Sequence, residues 1–139
     1  MKFGKALDDI CPNCRYDVKF REGQKPLYEE FKSYNTETWG KIANDKGFIK
    51  QFESYLQEVN KLEDLAYMIN SNKANINEVK QAFKELFKNK KDELFEIILK
   101  NNTLKNNLLG EGLTKSEAKN VFGDLINSTD SVLYNFIKF

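Results

Sequence analysis

Cys11-Pro12-Asn13-Cys14 is the tightest grouping of chemically capable side chains in the chain. Two thiols separated by two residues can serve as a redox pair or as two of the four ligands of a closed zinc site. The redox chemistry needs a helix starting at the first thiol, whose dipole lowers the thiol pKa. Here Arg15-Tyr16-Asp17-Val18-Lys19-Phe20 alternates polar and apolar with period two, the pattern of a strand. Zinc needs further ligands, and the chain has two cysteines and no histidine. Cys11 and Cys14 therefore become metal ligands only if Asp8, Asp9 or Asp17, or the same pair from a second chain, completes the set. Otherwise they are two thiols in a proline-fixed turn, packing as small hydrophobes.

A second grouping is cationic. Residues 73–105 hold eight lysines against five acids, although the whole chain carries a formal charge of only +1. Lys80, Lys84, Lys88 and Lys91 step by four, four and three. On one continuous helix at 100° per residue they fall within an arc of about 80°, beside Phe83 and Phe87. Such a row could contact phosphates or an acidic protein surface. Lysines beside an apolar stripe also snorkel at the edge of a core, with Glu85, Asp92, Glu93 and Glu96 as local partners. A break at Asn89 would take Lys91 off the row.

A third grouping is aromatic. Tyr28, Phe31, Tyr34 and Trp39 crowd a segment with little helical period. Tyr and Trp are favoured at interface centres, which makes Tyr28, Tyr34 and Trp39 candidate partner-binding residues alongside the lysines. The competing reading packs them onto the rest of the molecule.

Other chemistry is set aside by inspection. The absence of histidine removes the commonest general base and every Ser-His or Cys-His pair. No glycine-rich phosphate loop and no calcium-loop pattern occurs. Glu29, Glu30, Glu37, Glu53, Glu58 and Glu63 read as solvated carboxylates. A helix-turn-helix around 104–126 would offer only Lys115 and Lys119 to base edges. No apolar run approaches the roughly eighteen residues of a membrane span. Asp8 and Asp9 precede any hydrophobic stretch, unlike a signal peptide, so a cytoplasmic location is expected.

The elements that must position these groups follow from apolar spacing. In 139 residues with eleven Phe and six Tyr, one domain can bury its own core. Residues 1–47 hold both prolines and both cysteines and read as an irregular N-terminal segment, with a short hairpin near residues 10–21. Residues 48–139 read as a helical bundle. Phe48, Phe52, Tyr55, Leu56, Val59, Leu62, Leu65, Ala66 and Ile69 step by threes and fours, predicting a helix of about six turns. Asn75 with Glu78 opens the next helix, interrupted at Asn89. Leu94–Leu99 forms a more buried helix, and Leu104–Leu109 continues until Gly110-Glu111-Gly112. Thr114-Lys115-Ser116-Glu117 is a capping box before Ala118, Val121, Phe122, Leu125 and Ile126. Ser128 or Thr129 is expected to cap a last short helix carrying Val132, Leu133, Phe136 and Ile137. The expected fold is all-α, an irregular bundle of five or six helices.

The sequence thus favours a small non-catalytic interaction protein that binds, and regulates or inhibits, another macromolecule. Its partner is expected to be another protein, and its general style is that of phage- or plasmid-type inhibitors of host or defence enzymes. The alternative is a nucleic-acid or phosphate-ligand binder using the lysine row, as a monomer or a zinc-stabilised homodimer. The two differ in salt dependence, since phosphate contacts weaken steeply as salt rises.

Overall fold

A computed structural model describes residues 28–138 and the backbone of the two-residue strand β1, Val18–Lys19. Apart from that strand, the hairpin expected near residues 10–21 lies outside the described residues, as do Cys11 and Cys14. The class is mainly helical with a small sheet, which corrects the all-α expectation. Strand β2 spans Tyr28–Lys32, β3 spans Leu65–Ile69 and β4 spans Ile137–Lys138. The sheet order is β1-β2-β3-β4, with β2, β3 and β4 mutually parallel and β1 antiparallel on the edge of β2.

Parallel neighbours require long crossovers, and the helices supply them. Between β2 and β3 run α1 (Thr36–Trp39), a 3₁₀ turn at Ile42–Asn44, α2 (Lys46–Glu58) and a second 3₁₀ turn at Leu62–Asp64. Between β3 and β4 run α3 (Ile76–Asn89), α4 (Lys91–Lys100), α5 (Asn102–Leu108) and α6 (Lys115–Asn127). The capping box on α6 forms as expected: Glu117 N–H donates to Thr114 Oγ1 at 3.1 Å, and Thr114 N–H donates to Glu117 Oε1 at 2.9 Å. Asn75 caps α3, and that helix stops at Asn89. Asparagine does much of the capping elsewhere, with Asn35 on α1 and Asn101 on α5.

The six-turn helix expected through Ile69 is two elements instead. Helix α2 ends at Glu58, and Asn101 Nδ2 donates to the carbonyls of Leu56 at 2.8 Å and Val59 at 2.7 Å. Those contacts satisfy orphaned carbonyls at the helix end, so the chain can turn away. Leu65-Ala66-Tyr67-Met68-Ile69 then enters the sheet interior, where only Met68 is not fully buried. A strand buried on both faces carries an unbroken apolar run, which spacing alone does not separate from a buried helix. The last short helix is likewise corrected: Val132–Tyr134 is a 3₁₀ turn, and Ile137 pairs with Tyr67 in the sheet.

The core is an aromatic cluster between the helices and the sheet face that carries Tyr67. Phe83 lies at its centre, 4.9 Å from Phe136, 5.6 Å from both Phe52 and Tyr67, and 5.7 Å from Phe48 between ring centroids. Phe87, Phe95, Phe122 and Tyr134 extend it under α4 and α6.

Candidate functional site

The carboxyl ends of β2 and β3 open onto a surface cavity of about 350 Å³, lined by Phe31, Lys32, Ser33, Met68, Ile69 and Asn70. Register places Phe31 opposite Met68, and Met68 opposite Lys138. Strand alternation puts this row on the face away from Tyr67. Phe31 is 59% exposed and Lys138 is exposed. The rim is held by Asn70, whose Nδ2 donates to Ser33 Oγ at 3.1 Å and whose Oδ1 accepts from Asn72 N–H at 3.0 Å.

Beneath this cavity lies a buried polar network. Glu30 is 1% exposed on the helix-facing side of β2. Tyr55 Oη donates to its Oε2 at 2.5 Å, and Lys32 Nζ lies 3.1 Å from its Oε1. Lys32 also reaches Gln51 Oε1 at 3.4 Å and sits over the rings of Tyr34 and Phe48. Burial of a carboxylate is tolerable when it is paired and hydrogen-bonded in this way. The network fixes the end of β2 and so the position of Phe31.

The aromatic candidates resolve differently from expectation. Trp39 is fully buried against Tyr34, Phe48 and Phe83, and Tyr28 is buried against Tyr55. Tyr34 is half-buried beside Trp39. Tyr28 and Trp39, partner-binding candidates in the sequence, lie packed in the core with almost no exposed surface. Phe31, from the same aromatic run, is the one turned outward.

The lysine row is divided by the fold. Lys80, Lys84 and Lys88 belong to α3, whereas Lys91 begins α4 beyond the break at Asn89. Lys84 Nζ donates to the carbonyl of Asn127 at 3.1 Å, closing the end of α6 where the helix dipole is negative. Lys91 Nζ lies 2.9 Å from the point where a Cβ on Gly123 would sit. Lys119 pairs with Asp92 at 3.0 Å and Lys115 with Glu96 at 3.1 Å. Positions 115, 119, 123 and 127 step by four along α6, so these contacts form one seam joining α6 to α3 and α4. Lys119 holds the Asp92 carboxyl below its usual range, by hydrogen bond and by charge.

Glu53 is half-buried on α2, near Glu93 and Lys90. Burial pushes the Glu53 carboxyl up to about 7, with the neighbouring Glu93 adding to the rise and Lys90 opposing it. In the sequence both Glu30 and Glu53 read as solvated carboxylates. Their only signal is position: each lies one or two residues from apolar residues that the fold buries. Among the described residues, no group of three or more His, Cys, Asp or Glu could hold a metal, and no helix is long and apolar enough to cross a membrane.

No family model matches the chain, and no curated protein or solved structure matches it either.

Proposed function

We propose that this chain is a non-catalytic protein-binding domain that regulates or inhibits its partner through the strand-end surface around Phe31, Met68 and Ile69. The observation that carries this reading is Phe31, a large apolar side chain 59% exposed at a cavity it shares with Met68 and Ile69. Large aromatics on a rigid element make efficient anchors, because little side-chain freedom is lost when they are covered. The buried Glu30–Tyr55–Lys32 network supplies that rigidity from below. The lysine row supports a nucleic-acid reading less well: Lys84 is engaged with α6 and Lys91 lies on another helix, leaving Lys80 and Lys88 two turns apart.

Affinity capture from the native cell, run in parallel with the whole chain and with Phe31→Asp, tests the proposal. A protein retained by the former and lost by the latter is expected. A protein held equally by both removes the strand-end surface from consideration.

A further inference from the structure

Charge is unevenly placed around the cavity at the carboxyl ends of β2 and β3. Among the described residues, its lining holds Phe31, Met68 and Ile69 with one cation, Lys32, and no carboxylate. The Lys32 charge is answered inside the fold, with Nζ 3.1 Å from the buried Glu30 carboxylate. Two further lysines border the same end. Lys138 closes the row that runs from Phe31 through Met68, and it is exposed. Lys73 is exposed in the turn that its own N–H closes onto the Asn70 carbonyl at 3.0 Å. Neither ammonium is in an ion pair among the described residues. The acids of the adjoining strand and loops are set back or engaged. Glu29 lies one row behind Phe31 on β2, opposite Ala66. Glu37 pairs with Lys41 at 3.5 Å, and Glu78 accepts from Thr36 Oγ1 at 2.7 Å.

We infer that the partner segment docking at this surface is acidic: an apolar anchor seated on Phe31 and Met68, flanked by Asp or Glu that meet Lys138 and Lys73. The inference rests on the strand-end docking reading and adds the chemistry of the partner to it. Strand spacing sets the reach. Two inter-strand steps put Lys138 about 10 Å from Phe31, a span that an extended segment covers in about three residues. The apolar contact supplies most of the affinity, while rim cations steer the approach and fix the register. A basic segment would bring like charge against both ammonium groups, so the rim selects between partners that share the same anchor. Glu29 adds direction, because it keeps the acidic flank of the segment away from the β2 side of the row and over β4.

The test is to pan a display library of random short peptides on the whole chain. Recovered peptides are then titrated against the whole chain, Phe31→Asp and a Lys73→Glu/Lys138→Glu double variant, with thermal unfolding verifying that both variants are folded. Asp or Glu is expected to be enriched beside an aromatic or aliphatic residue. Affinity is expected to fall at least about tenfold in Phe31→Asp and about three- to tenfold in the lysine variant, the second loss shrinking as salt rises. Peptides that lose binding in Phe31→Asp but keep it in the lysine variant overturn the inference and leave the docking surface standing. Peptides that keep their affinity in Phe31→Asp remove both. Enrichment of Lys or Arg, or no enrichment of any peptide, overturns the acidic partner as well.

Discussion

Glu30 sits 1% exposed between a phenol and an ammonium, and the chemistry of that position is unforgiving. Tyr55→Phe keeps the ring in its place against Tyr28 and Tyr67 but takes away a hydroxyl that the carboxylate accepts. A buried acceptor deprived of a donor costs about 1–3 kcal/mol, more than the net worth of an ordinary hydrogen bond. Denaturant unfolding of Tyr55→Phe is expected to show a loss in that range. A loss below about 0.5 kcal/mol would mean that Glu30 does not depend on Tyr55. Neither Glu30 nor Glu53 was legible as special in the sequence, because a glutamate's burial depends on which element crosses it and not on its own neighbours in the chain. Phe31 was legible as one of an aromatic run; that it faces outward while Tyr28 on the same strand is buried depends on strand alternation.

Asn101 and Gly123 show how single residues set the relations between elements. Asn101 caps α5 through Leu104 N–H at 3.3 Å while its amide holds the end of α2. Asn101→Ala is therefore expected to cost about 1–3 kcal/mol, combining a lost cap with carbonyls left short of a donor. Unfolding in denaturant measures it, and a surface-like change of a few tenths would contradict the double role. Gly123 lies inside α6, and the atom nearest an added Cβ is the mobile end of Lys91. Gly123→Ala is expected to stabilise the chain by about 0.5–1 kcal/mol, since the lysine tip can move and helix propensity favours alanine. A lower Tm for that variant would show that Lys91 is fixed in place by the α4–α6 seam.

At this scale the caps were readable. Asn75, the stop at Asn89 and the Thr114–Glu117 box are local devices written within four residues. The passage from α2 to β3 was not, because it depends on Asn101, more than forty residues away.

Among the described residues, the helices pack against a small, mostly parallel sheet, and aromatic residues fill the space between. The apolar content pointed correctly to a well-filled core, yet the sheet was hidden. Its strands are short, and β3 is apolar at every position, so nothing in its periodicity betrays an alternating face. The same architecture separates two surfaces that the sequence could not rank, the strand ends around Phe31 and the lysines of α3. The first of these is the surface proposed to bind a partner protein. Titrating the captured partner by calorimetry against the whole chain, Phe31→Asp, and a Lys80→Glu/Lys88→Glu double variant tests it most directly. Affinity is expected to be at least about tenfold weaker for Phe31→Asp and within about twofold of the whole chain for the lysine variant. Unchanged affinity for Phe31→Asp with binding lost in the lysine variant would contradict it.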